Sequence, residues 1–211
     1  MYFAIEGVIG VGKTTLARLL QSSLNAELLL EIFEENPFLS DFYSDRQRYA
    51  FQTQIFFLLS RYHQQREGVQ DAFQKSSTLI SDYTFQKDRL FAEVNLEGDE
   101  LEMYFRVHEA LAEKITTPDL IVYLQADTDV LMQRIAQRDR PYERQMEVDY
   151  INTLNQTYEE HFARNAAGNV LTINTNELDY VRHPKDLESV QQRIRQALKL
   201  APFQESLPID Y

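Results

Sequence analysis

Residues 7–14, Gly7-Val8-Ile9-Gly10-Val11-Gly12-Lys13-Thr14, satisfy G-x-x-x-x-G-K-[ST] at every fixed position. The apolar run Tyr2-Phe3-Ala4-Ile5 before them reads as a strand, and Thr15-Leu16-Ala17-Arg18-Leu19-Leu20 after them opens a helical pattern. Strand, glycine-rich loop and helix start are the setting in which this motif binds phosphate. Glycine lets successive N–H groups point into one concavity, and the helix start adds its positive dipole end. Gly7, Val8, Ile9, Gly10, Val11, Gly12, Lys13, Thr14 and Thr15 are therefore the expected cradle of a triphosphate such as ATP. Lys13 is expected to reach the β- and γ-phosphates, and the Thr14 hydroxyl to ligate Mg²⁺. The plain alternative is a glycine turn between strand and helix.

Four further apolar runs read as strands: residues 27–31, 77–82, 119–125 and 170–174. Helical patterns lie between and after them, at about 45–67, from 85 or 87 onward, across 99–114, from 128 to 138, 147–165 and 184–200. Asn36 before Pro37 reads as a helix N-cap with proline in the first helical position, and Asp127 as a cap on the helix after the fourth strand. Strands alternating with helices specify an α/β fold, here a five-stranded parallel sheet with helices on both faces. Length, 211 residues, suits a single domain, expected over residues 1–200 with residues 201–211 as a tail.

Composition narrows the function classes. The net charge of −12 argues against a nucleic-acid surface, which needs a basic footprint. With no cysteine, disulfides and thiolate metal sites are excluded, and four scattered histidines show no ligand spacing. No leader pattern or apolar run long enough for a membrane span is present, so the expected location is cytoplasmic.

In a parallel sheet, ligands bind beyond the carboxyl ends of the strands. The phosphate loop follows strand one, Glu31 strand two and Asp82 strand three, so topology should bring them together. Two carboxylates beside a triphosphate and Mg²⁺ suit phosphoryl transfer to a hydroxyl, one accepting the proton and the other holding the metal directly or through water. Taken singly, each acid is equally a helix cap or a solvated charge. Arg134, Arg138, Arg140 and Arg144 cluster in this otherwise acidic chain. They form either an arginine-rich lid over the γ-phosphoryl group or a solvated helix end. Phe51, Ile55, Leu58, Leu59 and Tyr62 make an apolar stripe on the long helix, widened by Phe56 and Phe57; it faces the core, a substrate cavity or another subunit. The N-K-x-D and D-x-x-G motifs of a switch GTPase are absent.

The segments IEGVIGVGKTTLA, EIFEENPFLSDFY, YAFQTQIFFLLSRY, ISDYTFQKDRLFAE, DLIVYLQA and RIAQRDRPYER together resemble the deoxynucleoside kinase family, and within it the bacterial deoxyguanosine kinase branch. The resemblance runs from Tyr2 to about Leu200. It implies a P-loop kinase fold with a lid, dimeric assembly, and transfer from ATP with Mg²⁺ to a small-molecule deoxynucleoside. It implies that Glu31 binds the 5′-hydroxyl and acts as base, that Tyr43 and Glu143 hold the 3′-hydroxyl, and that Gln52 reads the nucleobase edge. Arg134, Arg138 and Arg140 match the family's lid. One departure stands out: the family's acid-Arg-Ser triplet is Asp82-Tyr83-Thr84 here, so the acid is kept and the arginine is missing. Asp82 carries over as the Mg²⁺-linked or proton-accepting acid, and the missing cation is expected from the lid or not at all. With a one-residue gap, Asp88-Arg89 matches the family's base-reading pair; without it, Lys87 falls there. The Asp-Tyr form, with Tyr83 at the substrate, leans towards a purine.

Three functions follow. The first is ATP-dependent 5′-phosphorylation of a purine deoxynucleoside, deoxyguanosine before deoxyadenosine, in nucleotide salvage. The second is a monophosphate kinase of the thymidylate type, disfavoured because residues 31–42 carry acids and no arginine. The third is a nucleotide-binding regulatory module without turnover.

Overall fold

In the computed structural model, residues 1–33, 35–165 and 168–201 are described. Strands β1 (Tyr2–Glu6), β2 (Glu27–Leu29), β3 (Leu79–Ser81), β4 (Leu120–Gln125) and β5 (Val170–Asn174) form one sheet in the order β2-β3-β1-β4-β5. Every neighbouring pair is parallel. β1 lies in the middle, with Phe3 opposite Ile80 on one side and Leu120 on the other.

The alternation of β1 divides the core in two. Phe3 and Ile5 enter the larger cluster with Leu16, Ala17 and Leu20 of α1 (Lys13–Leu24). Tyr2 and Ala4 enter a smaller one with Leu29, Leu79 and Tyr83, closed by Val69 and Ala72 of α3 (Arg46–Lys75). Helices thus cover both faces, as expected of a parallel sheet whose strands are mostly apolar. Burying one such large apolar side chain contributes about 1.5–3 kcal/mol, so both clusters matter. The other helices are α2 (Leu39–Ser44), α4 (Gln86–Asn95), α5 (Gly98–Ala112), α6 (Thr128–Arg138), α7 (Val148–Arg164) and α8 (Pro184–Ala197).

Several boundaries differ from expectation. β2 stops at Leu29, because the Glu31 N–H bonds the Asp82 carboxylate (2.8 Å) instead of a neighbouring strand. α3 runs on to Lys75, since Val69 and Ala72 still have a core to enter. Asn36 caps no helix. Its side-chain oxygen takes the Phe38 N–H (2.9 Å) and its amide donates to Thr53 O (3.2 Å), fastening the turn to α3, and α2 begins only at Leu39. Asp127 occupies the N-cap position of α6 without a side-chain cap bond. The expected tail lies, beyond Ala201, outside the described residues. Among the described residues, no helix is long and apolar enough to cross a membrane.

Candidate active site

The phosphate loop lies between β1 and α1, at the carboxyl edge of the sheet. Glu6, buried at the end of β1, accepts from Gly7 N–H (3.1 Å), Thr84 N–H (2.5 Å) and the Thr84 hydroxyl (2.9 Å). One carboxylate thereby ties the loop to the turn after β3. Gly12 has φ +102°, and a Cβ there would sit 2.2 Å from the Tyr180 hydroxyl, which donates to Gly12 O (3.2 Å). No side chain caps α1, so its first N–H groups face the loop's concavity as an anion site. Lys13 Nζ curls back onto Gly7 O (2.7 Å) and Val8 O (3.1 Å), the positions from which phosphate oxygens would draw it. Burial, with the nearby Lys87 charge, lowers its pKa to about 8.

The two expected carboxylates do converge. Asp82 takes the Thr14 hydroxyl on one oxygen and the Glu31 N–H on the other. Thr14 and Asp82 are a hydroxyl and a carboxylate side by side, the hard oxygen donors Mg²⁺ prefers; it usually completes its shell with water and substrate phosphate. The residues fit a nucleotide-borne Mg²⁺, and no cluster of three or more His, Cys, Asp or Glu able to hold a metal occurs among the described residues.

Glu31 is gripped by two cations. Arg61 of α3 donates through Nε (2.9 Å) and Nη2 to one oxygen, and Lys87 of α4 donates to the other (2.5 Å). Burial alone would raise its pKa, but the two cations hold the carboxyl well below the usual carboxylate range. Arg61 also pairs with Asp88, which is fully buried and keeps its second oxygen unpartnered. Burial pushes Asp88 up to about 6, even with Arg61 beside it.

A cleft of about 280 Å³ opens between these groups, with Lys13, Thr14, Glu31, Asp82 and Lys87 on one side. Tyr43 of α2 and Glu143 of a 3-10 turn, Pro141–Glu143, lie on the other. Tyr43 stacks on Tyr142 of that turn, ring centroids 6.1 Å apart. Burial holds the Tyr43 phenol protonated, hence a donor. Glu143 is itself buried and chelated by Arg138 Nη2, 2.6 Å from each oxygen, with Arg140 Nη1 at 3.6 Å.

Three expectations are corrected. Arg134 does not face the cleft: its guanidinium is spent on Thr175 O (2.5 Å), the Thr175 hydroxyl (3.0 Å), Val11 O and Leu178 O, so it braces the phosphate loop from behind. Tyr83 does not reach the substrate cleft; it is fully buried in the smaller core, its hydroxyl donating to Gln64 Oε1 (2.6 Å). Gln52 is exposed, whereas Gln54 is 1% exposed with its Oε1 unpartnered. Gln54 precedes the cleft-lining Arg61 by seven residues, two helical turns, and so shares its face. Beyond these three, Arg61 and Lys87 hold Glu31, while Arg138 and Arg140 hold Glu143. Arg61 and Gln54 were not singled out in the sequence, and Lys87 was named only as the alternative to Asp88 in the base-reading position. The signal for Arg61 and Gln54 was the phase of α3, where both lie on the buried face with Leu58.

A family model described as deoxynucleoside kinase matches residues 3–199. The chain is 32% identical to the deoxyguanosine kinase of Bacillus subtilis (strain 168) over 201 residues, 93% of this chain and 97% of that one. It is 32% identical to the deoxyadenosine kinase of Dictyostelium discoideum over 199 residues, 92% of this chain and 78% of that one. Among solved structures, deoxyadenosine kinase from M. mycoides with bound dCTP superposes with a TM-score of 0.79 at 27% identity, covering 93% of this chain and 100% of that one.

Proposed function

The chain belongs to the deoxynucleoside kinase family, and from that premise we propose that it transfers the γ-phosphoryl group of ATP to the 5′-hydroxyl of a purine deoxynucleoside, deoxyguanosine before deoxyadenosine. The observation that carries this is the placing of Glu31 in one cleft with Lys13, Thr14 and Asp82. A carboxylate meets the phosphate loop there with its backbone N–H fixed by the candidate metal ligand.

In this mechanism the loop N–H groups and Lys13 hold the donor's phosphates, and Tyr43 with Glu143 orients the sugar through its 3′-hydroxyl. Glu31 accepts the 5′-hydroxyl proton as the oxygen attacks. Thr14 and Asp82 would hold Mg²⁺, which offsets phosphate charge when bound. Arg138 and Arg140, at the cleft mouth, act as a lid that leaves Glu143 for the phosphates. A neutral acceptor is favoured because Arg61 is already committed to Glu31 and Asp88. A purine edge is favoured by the unpartnered oxygens of Gln54 and Asp88, two buried acceptors with Arg61 as a nearby donor. The names of the relatives point the same way.

The test is a panel of the four deoxynucleosides, the matching ribonucleosides, dGMP and dTMP with ATP and Mg²⁺. Highest turnover with deoxyguanosine is the expected result. Turnover of a monophosphate and of no nucleoside would overturn the roles of Glu31, Tyr43 and Glu143.

A further inference from the structure

Resting on the phosphoryl-transfer reading above, we propose that Lys87 is a catalytic residue whose ammonium leaves Glu31 when the acceptor hydroxyl arrives and moves onto the transferring phosphoryl group beside Lys13. The need for such a movement lies in the geometry. Glu31 carries a cation on each oxygen, Arg61 on Oε1 and Lys87 on Oε2. Oε2 keeps one lone pair beside Lys87, but an ammonium held on that oxygen repels an arriving proton, so Glu31 accepts it more readily once that partner withdraws.

Arg61 is the poorer candidate to move. Its planar fork bonds Glu31 and Asp88 together, and its guanidinium lies 4.5 Å over the Phe57 ring. Releasing it would leave the buried Asp88 charge unpaired, which is strongly unfavourable. Lys87 is a point charge on a flexible stem. Glu31 is the hydrogen-bond partner described for its ammonium, and its other close neighbour is the Phe91 ring at 5.6 Å. It lines the same cleft as Lys13 and Asp82 and starts from the first turn of α4, directly after the Asp82 turn. A short swing exchanges one anionic partner, Glu31, for another, the phosphoryl oxygens, so the charge is never left unpaired.

The step balances without a further reactant. The 5′-hydroxyl proton passes to Glu31 Oε2, and the hydroxyl oxygen forms a bond to the γ-phosphorus. The bond from that phosphorus to the bridging oxygen breaks, and its electron pair leaves with ADP. Lys87 keeps its three protons throughout and contributes charge where the equatorial oxygens gather it.

Steady-state kinetics with ATP, Mg²⁺ and the best deoxynucleoside test this. Lys87→Met should lower kcat about 100-fold, the size of effect for removing one transition-state donor, with both KM values within about threefold of the parent. The chain has no cysteine, so Lys87→Cys offers a single thiol; its kcat should be equally low, and aminoethylation, which restores an ammonium at nearly the same reach, should recover at least tenfold (about 1.4 kcal/mol). Should Lys87→Met not fold, the aminoethylation pair decides alone. A kcat for Lys87→Met within about threefold of the parent, KM rising in step with the loss of kcat, or no recovery on aminoethylation would each overturn the assignment. A parent protein that phosphorylates no deoxynucleoside defeats the underlying reading instead, a distinct result.

Discussion

The two halves of the cleft are built in different ways. The donor half is backbone: a single contiguous loop, residues 7–14, whose shape is fixed by left-handed glycines, the Glu6 carboxylate beneath it and Tyr180 and Arg134 behind it. The half proposed for the acceptor is side chain. Glu31, Tyr43, Arg61, Lys87, Asp88 and Glu143 come from five separate stretches, and all but Tyr43 are held in ion pairs. A backbone cradle accepts any polyphosphate and holds its form when empty. A charged cluster holds its form only by pairing with itself, so acceptor binding must trade internal ion pairs for contacts with the substrate. On this view specificity resides in the acceptor half, and generic phosphate affinity in the donor half.

The sharpest way to break the contrast is Glu31→Gln. Loss of the proton-accepting carboxylate should lower kcat by about 10²–10⁴, while ATP affinity, set in the other half, stays unchanged in equilibrium titration. A parallel loss of ATP binding would show that the halves are not separable.

A smaller effect distinguishes the two glutamines of α3. Gln54→Ala should raise the deoxynucleoside KM about tenfold, the worth of one buried hydrogen bond. Gln52→Ala, on the exposed face, should change it less than about twofold. The reverse order would put the wrong face of α3 against the base.

The smallest effect is in pH, and the halves should respond at opposite ends. Lys13 titrates near 8, depressed by burial, so it loses its charge as pH rises through 8 and the KM for ATP should rise there. Asp88 titrates near 6, raised by burial, so it gains a proton as pH falls through 6 and the deoxynucleoside KM should rise there. Asp88→Asn should flatten the acid-side change and leave the alkaline one in place. The same Asp88 shift acts on folding: a carboxyl raised in the folded state favours that state below its unfolded value, and the contribution is lost as pH climbs through 6.

How much of this was legible beforehand follows the same division. The strands that became β1, β4 and β5 stood out as apolar runs because each is paired on at least one side in a covered sheet, and β5 has the bounds its sequence suggests. The meeting of Glu31 and Asp82 was legible too, since parallel topology places the ends of adjacent strands together. Gln52 lies on the exposed face of α3 and Gln54 on the buried one, since resemblance fixes a segment but not its helical phase, and two residues turn a helix by roughly 200°. Tyr83 was placed at the substrate for a similar reason: one step past Asp82 sends a side chain to the other face of the sheet.

The sequence by itself determined the phosphate loop, the parallel α/β order and the two acids at strand ends, because these follow from local backbone chemistry and from hydrophobic periodicity. Only the tertiary structure decided that Lys87 and Arg61 pair with Glu31, that Arg134 braces the loop rather than facing the cleft, and that Glu143 is held by Arg138. Ion pairing between distant segments has no sequence period. It is chosen by which charged side chains the packed helices bring within reach of a buried carboxylate, where leaving any one unpaired would be too unfavourable to persist.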